Sequence, residues 1–240
     1  MIFAYPEQET PYKTNPVASV ILCAYNHLND LTIPCIESIR ANTFYPYELI
    51  LVDDGSTDGS MRYFRTVSEK AIRVPRGSGA ARARNAGLEA AAGDPLVVLD
   101  NDTIVPPEWL TILVQEVQKP GVGIVSAIPS DQVDRLNGKR SQDGLIEYQN
   151  VSGFCAAISR QCLNAIGYFD ESLISGEDTD FCYRARQRGF RIANTPRLMV
   201  KSGGTRRELD KQTERSARRF IQKHAASNPH LPAAPLYPFG

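Results

Sequence analysis

The chain has 240 residues, enough for one substantial hydrophobic core and too few for three domains. Lys plus Arg and Asp plus Glu number 27 each, so the formal charge is zero, which disfavours a strongly basic nucleic-acid surface. Three histidines (His27, His224 and His230) are too few for a zinc site built mainly from imidazoles.

In chain order, residues 17–24 (VASVILCA) are short and β-rich and read as a buried strand. Residues 31–41 place Leu31, Cys35, Ile36 and Ile39 near helical spacing, and 47–52 are a second strand ending at Asp53 and Asp54. The Gly, Ser and Asp residues of the DDGSTDGS stretch make turns and caps. A helix over 60–70 and a short strand over 71–74 follow, then a loop opened by Gly77 and Gly79. Residues 80–92 are alanine-rich and strongly helical. Residues 96–99 form a strand running into Asp100, Asn101 and Asp102, and a helix over 108–118 precedes a strand over 122–127. Residues 130–150 are polar and loop-like. A strand over 152–159, helices over 162–166 and 178–188, and an extended segment over 191–200 complete the reading.

Strands alternating with helices define one continuous α/β domain with a mostly parallel sheet. The first residues carry acids and three prolines where a secretory signal has a basic end and an apolar run. No apolar stretch nears the roughly 20 residues of a bilayer span. The five cysteines lack a CxxC pair and read as buried thiols of a reducing compartment, so a cytoplasmic protein is expected.

Ligands of open parallel sheets bind outside the carboxyl ends of the strands, where Asp53, Asp54, Asp100 and Asp102 fall. Crowded carboxylates repel one another unless a cation or donor groups intervene. Asp100-x-Asp102 can offer oxygens to Mg²⁺ or Mn²⁺, although aspartates also follow strands simply as turn formers. Arg82 or Arg84, after the Gly77-x-Gly79 loop, can neutralise phosphate or face solvent. That loop is not a dinucleotide fingerprint, which would follow the first strand. Glu177 and Asp178 open a helix, where acids serve as caps or, if packed against the strand ends, can accept a proton from a substrate hydroxyl. With His27 the only histidine before the C-terminal segment, no Ser-His-acid triad forms.

The blocks Val20–Asn26, Val52–Asp58, Arg84-Asn85-x-Gly87, Leu99–Asp102, Gly153–Cys155, Ile166–Glu171 and Gly176-Glu177-Asp178-x-Asp180-Phe181-Cys182-x-Arg184, in this order, resemble family 2 of the inverting nucleotide-sugar glycosyltransferases, which have the GT-A fold. The resemblance runs from about Ser19 to Thr205. It implies that residues 17–205 are the catalytic domain, with a nucleotide-binding half over 17–127 and an acceptor-side half over 128–205. Residues 1–16 are then an N-terminal extension.

The resemblance also implies roles for single residues. Ala24, Tyr25, Asn26, Asp53, Asp54, Arg84, Asp100 and Asn101 would serve the donor. Asp102, with Asp100, would hold Mn²⁺ or Mg²⁺. Gly153, Phe154 and Cys155 would shape the sugar and acceptor pocket, and Asp178 would be the general base with Glu177 second. Lys201 stands where such enzymes commonly carry a metal-binding histidine. A lysine cannot ligate a metal while protonated but can pair with the donor diphosphate, which leaves metal dependence open.

Residues 206–227 read as a basic helix, with seven basic residues against three acids from Arg206 to Lys223. Its arginines either face solvent on a helix packed against its own domain or meet the inner face of a membrane or a lipid-linked acceptor. Residues 228–240 are a Pro-rich tail, and this compact end speaks against a processive, membrane-spanning polymerase. The expected partners are a UDP-, GDP- or dTDP-linked sugar and a glycan or lipid-linked acceptor, without nucleic acid. A non-catalytic nucleotide-sugar or carbohydrate-binding protein and a nucleotidyltransferase are the competing readings.

Overall fold

The structure is a computed structural model and describes residues 17–131, 133, 138–173, 175–203 and 222–224. The expected N-terminal extension, most of the basic helix and the Pro-rich tail lie outside them. The first strand, β1 (Ala18–Ala24), is buried along almost its whole length. It forms the centre of a parallel set with β2 (Tyr47–Asp53), β3 (Lys70–Arg73) and β4 (Leu96–Asp100), in the order β3-β2-β1-β4.

Strand alternation sorts side chains to the two faces. Val20, Leu22, Leu51, Val97 and Leu99 pack under α1 (Ile33–Asn42), α2 (Ser60–Val67) and α4 (Trp109–Val117). Ile21, Ile50, Val52, Leu96 and Val98 pack under α3 (Ala80–Ala90), α5 (Arg160–Ile166) and α6 (Glu177–Gln187). Strand order reverses beside β1: the chain leaves β1 for β2 and returns to its other side as β4. That switch point opens a crevice at the carboxyl ends. Gly87 of α3 lets the helix sit directly on the sheet, because a Cβ there would lie 2.2 Å from Ile21 Cγ2.

The stretch from β6 (Val122–Pro129) onward departs from simple alternation. β9 (Cys155–Ile158) runs antiparallel between β4 and β6, and β10 (Arg191–Ser202) lies parallel to β6. Within the stretch read as a loop, β7 (Lys139–Arg140) and β8 (Ile146–Glu147) form a hairpin on the outer side of β10. Two-residue strands of this composition carry no periodic signal; they exist through their pairing and through Arg191, which binds Asp143 through both terminal nitrogens and Glu147 through Nε. β5 (Thr103–Ile104) leaves the main sheet to pair with the end of β10.

The first helix also begins differently from its reading. His27 O accepts from both Leu31 N and Thr32 N, winding residues Leu28–Thr32 into a π-helical turn before α1. α2 stops at Val67, because the chain turns to enter β3.

Candidate functional site

Asn26 and His27, just past β1, both adopt left-handed backbone conformations, with φ of 55° and 59°. Asparagine tolerates this region better than most residues, and the surroundings hold it there. Asn26 N donates to Ser56 Oγ at 2.8 Å, its Oδ1 accepts from Thr57 N, and its carbonyl accepts from Asn101 Nδ2 at 3.4 Å. Asn101 also donates to Thr32 Oγ1, so this residue braces the loop. Tyr25 is exposed, and Asp54 N donates to Ala24 O.

The two aspartates ending β2 differ sharply. Asp53 is fully buried; its Oδ1 accepts from Ser56 N and its Oδ2 faces Arg73 at 3.3 Å. Asp54 is half-buried, and burial together with the charge of Asp53 pushes its carboxyl up against the opposing backbone amides of Gly79 and Ser78. Asp53 therefore shapes the turn, while Asp54 borders the crevice. Gly55 makes that turn feasible: its φ is +77° and a Cβ would lie 2.3 Å from Arg76 Cα. Burial pushes the neighbouring Cys23 thiol up to about 12, so it is no nucleophile at neutral pH.

Beyond β4, Asp100 N donates to Phe154 O, and Thr103 Oγ1 approaches the same carbonyl. The Gly153–Cys155 segment is thus bonded directly to the Asp100–Asp102 turn. Phe154 is buried, and Cys155 is wholly buried on the core face of β9, so the cysteine side chain does not line a pocket as expected. Asp102 Oδ1 is buried with no hydrogen-bond partner. Its Oδ2 lies 3.4 Å from Ser202 Oγ, and its carbonyl accepts from Gly203 N. Lys201 is exposed and opposite Ile104 in the β5–β10 register; the side chain that meets Asp102 belongs to its neighbour Ser202.

Among the described residues no three His, Cys, Asp or Glu side chains converge as a metal cage. Two carboxylates, one with an orphaned buried oxygen, nevertheless suit a hard divalent ion whose remaining positions are filled by phosphate oxygens and water. Asp100 is partly exposed in the crevice. Burial there raises its carboxyl more than Arg84 lowers it, and Asp178 and Asp102 add to the rise.

Arg84 joins the two halves of the crevice. Only 5% exposed, it donates from Nη1 to Glu177 Oε1 at 2.9 Å and Asp178 Oδ1 at 3.0 Å, and from Nη2 to Asp100 Oδ1 at 3.2 Å. Its guanidinium also lies 5.6 Å from the Phe169 ring centroid. Burial alone would disfavour the charge, but the three carboxylates hold Arg84 firmly protonated. Glu177 is pushed up by burial and by Asp178 beside it, against the pull of Arg84. Asp178 Oδ2 accepts from Gly153 N at 3.1 Å. A Cβ on residue 153 would fall 2.7 Å from Asp178 Oδ1, so this close approach requires glycine. Next to Arg84, Asn85 exchanges hydrogen bonds with the backbone of Phe169 and donates to Glu171. Phe169 in turn stacks on Phe181 of α6 at 4.2 Å.

Sequence reasoning thus found the carboxylates but placed Arg84 only on the donor side, and it missed Ser202. The Arg84–Asn85 pair carries no spacing signal toward residues more than 80 positions away.

Residues 19–174 match the family described as Glycosyl transferase family 2, and residues 147–222 match Glycosyltransferase like family 2. The chain belongs to glycosyltransferase family 2. It is 27% identical over 221 residues to an uncharacterized protein, y4gI, of Sinorhizobium fredii, with 78% of this chain and 24% of that protein covered. It is 28% identical over 198 residues to glycosyltransferase AglE of Haloferax volcanii, covering 75% and 64% respectively. The chain therefore spans less than two thirds of these relatives' lengths. Among solved structures, the mannosyltransferase PcManGT of Pyrobaculum calidifontis, in complex with GDP-Man and Mn²⁺, superposes with a TM-score of 0.70. That likeness, at 24% identity, covers 93% of this chain and 67% of the other. The fold is GT-A, as the resemblance implied.

Proposed function

We propose that the protein transfers a sugar from a nucleotide-sugar donor to a hydroxyl acceptor, with inversion at the anomeric carbon and Asp178 as general base. The observation that carries this reading is the single guanidinium of Arg84, which spans from Asp100 beside the donor crevice to Glu177 and Asp178 opposite. Family membership and the GDP-Man and Mn²⁺ bound to the mannosyltransferase support the donor class.

In this mechanism the Ala24–Asn26 loop and Asp54 bind the nucleoside, with Asn101 and Asp53 bracing their loops. Asp102 and Asp100 would hold Mn²⁺ or Mg²⁺, which when bound offsets negative charge on the donor diphosphate. Lys201, exposed beside that site, adds a positive charge for the phosphates. The acceptor hydroxyl meets the solvent-open edge of the Asp178 carboxylate and attacks in line, opposite the leaving nucleotide. Asp178 takes its proton as the bond forms, and one displacement inverts the centre.

Asp178 suits the base role better than Glu177 because its side chain is 26% exposed against 13%. Each Asp178 oxygen receives one N–H, from Arg84 or Gly153, and so retains a lone pair for the acceptor. Burial and the charge of Asp178 raise the Glu177 carboxyl, so Glu177 holds a proton more readily than an ordinary glutamate.

Among the described residues no helix is long and apolar enough to cross a membrane. A lipid-linked acceptor would be met at the membrane surface, with the basic residues from Arg206 to Arg219 as the contact, since Lys223 is engaged by Asp170 and Asp180.

A thermal-shift panel of UDP-, GDP- and dTDP-sugars with Mn²⁺, followed by transfer assays on Asp178→Asn, tests the proposal. The expected result is retained donor binding with transfer reduced about 10²- to 10⁴-fold. Donors that never shift the protein would refute the reading, and full transfer by Asp178→Asn would remove Asp178 from the base role.

A further inference from the structure

Helix α6 presents Asp178 to the crevice, and two residues later it carries a second carboxylate pointing elsewhere. Residues two apart on a helix lie about 200° apart around its axis, so Asp180 faces away from Asp178. Asp180 is fully buried. Its Oδ2 accepts from Arg184 Nε at 2.7 Å, one helical turn on. The partners of its Oδ1 come from far along the chain: Lys223 Nζ at 2.8 Å and His224 Nε2 at 2.7 Å. His224 is itself 7% exposed, with its ring 4.4 Å from that of Tyr183. Facing a carboxylate, its Nε2 carries the proton and donates.

The same lysine reaches a second element. Lys223 Nζ donates to Asp170 Oδ2 at 2.7 Å, on the loop whose Phe169 is gripped by Asn85 and stacks on Phe181. Arg184 ties α6 to that loop as well, donating to the carbonyls of Ile166 and Tyr168. Gly176 at the N-cap of α6 supplies no side-chain cap, while the acids of the first turn, Glu177, Asp178 and Asp180, suit the helix N-terminus and are held from two sides. Arg84 grips the front of this turn, while Lys223 and His224 grip its back.

We propose that the helical turn 222–224 is a strap that fixes α6 against the body of the domain, and that Asp180, Asp170, Lys223 and His224 are positioning residues for Asp178. Burial pushes the Asp180 carboxyl up, and the hydrogen bonds from Lys223 and His224, with the charge of Arg184, outweigh this and hold it below the usual carboxylate range. The strap is therefore a specific recognition of a buried charge and not a loose surface contact. Among the described residues Lys223 and His224 meet Asp170, Asp180 and Tyr183, all beyond β6 in the chain, so the loss of these contacts is expected to move the base more than the donor crevice.

This inference rests on the sugar-transfer reading for its functional meaning, and the experiment separates the two. In the full chain, Lys223→Ala/His224→Ala is compared with Lys223→Arg/His224→Gln, which keeps a donor at each position. Transfer rate, donor affinity and amide hydrogen exchange of α6 are measured for each. The expected result for the alanine pair is kcat lowered about 10- to 100-fold, as for a displacement of the order of 1 Å, with donor affinity within about twofold. Exchange of residues 177–183 accelerates by about tenfold or more while β1–β4 stay protected. The conservative pair recovers most of the rate. If the alanine pair does not fold, Lys223→Ala alone carries the same test, with His224 still on Asp180.

Unchanged kcat in a folded alanine variant, or loss of donor affinity in parallel with kcat, overturns the strap. Should the wild-type protein turn over no donor, the sugar-transfer reading falls. The strap is then decided by exchange alone, where unaltered protection of 177–183 refutes it.

Discussion

Replacing Gly153 by alanine is the sharpest perturbation of the proposed base. The new methyl would stand 2.7 Å from Asp178 Oδ1 and 3.2 Å from its Cγ, whereas an ordinary Cβ contact begins near 3.4 Å. Gly153 does not have a left-handed φ, so alanine meets no backbone penalty and the contact alone decides the outcome. Asp178 must retreat by about 0.7 Å, the difference between those two distances. It then stretches its hydrogen bond from Gly153 N, now 3.1 Å, or that from Arg84, now 3.0 Å. A misplacement near 1 Å costs about 10²-fold in rate, and overpacking costs about 1–3 kcal/mol where nothing yields. The expected Gly153→Ala enzyme is folded, binds donor with wild-type affinity and has kcat lowered about 10- to 100-fold. Steady-state transfer kinetics with donor binding by calorimetry check this. Wild-type kcat in the variant would refute the positioning of Asp178 by this close approach, and parallel loss of donor affinity would place the damage elsewhere.

Other perturbations read different parts of the site. Asp102→Asn removes the negative charge from the side chain with the orphaned oxygen, so Mn²⁺ should cease to enhance donor binding in thermal shift while metal-free binding changes little. Glu177→Gln tests the raised carboxyl of Glu177. A group raised in the fold contributes stability below its ordinary value, near 4.5, and loses it as pH climbs through the raised value. The variant's melting temperature should therefore gain on wild type between pH 4 and pH 8, and a growing deficit would contradict the assignment. Asp180→Asn has the opposite sign: its stability deficit is full at neutral pH and shrinks as pH falls below the usual carboxylate range. Gly87→Ala drives a Cβ to 2.2 Å from Ile21 Cγ2, so a loss of about 1–3 kcal/mol is expected in denaturant melts.

Much of the β1–β4 region was legible in the chain because its signals are local. Strand alternation, the Gly and Asp turn after β2 and the alanine-rich α3 each lie within a dozen residues, and Asp53, Asp54, Asp100 and Asp102 occupy strand ends that such patterns locate. The region from β6 onward was less legible. The reversed direction of β9 leaves no mark on its composition, since CAAI suits either orientation in a buried sheet. The hairpin of β7 and β8 is closed locally by bonds from Ser141 and Gly144, and only its anchoring by Arg191 lies beyond a local window.

By itself the sequence determined the α/β class, the family and the identity of the carboxylates, because strand-end aspartates and glycine turns are short-range patterns. Only the tertiary structure decided which of them lie together and with which partners. Arg84 and Asp178 are 94 positions apart, and Asp180 and His224 are 44 apart. A buried charge selects partners by distance in space, where low dielectric makes the pairing strong, and that selection leaves no spacing to be read along the chain.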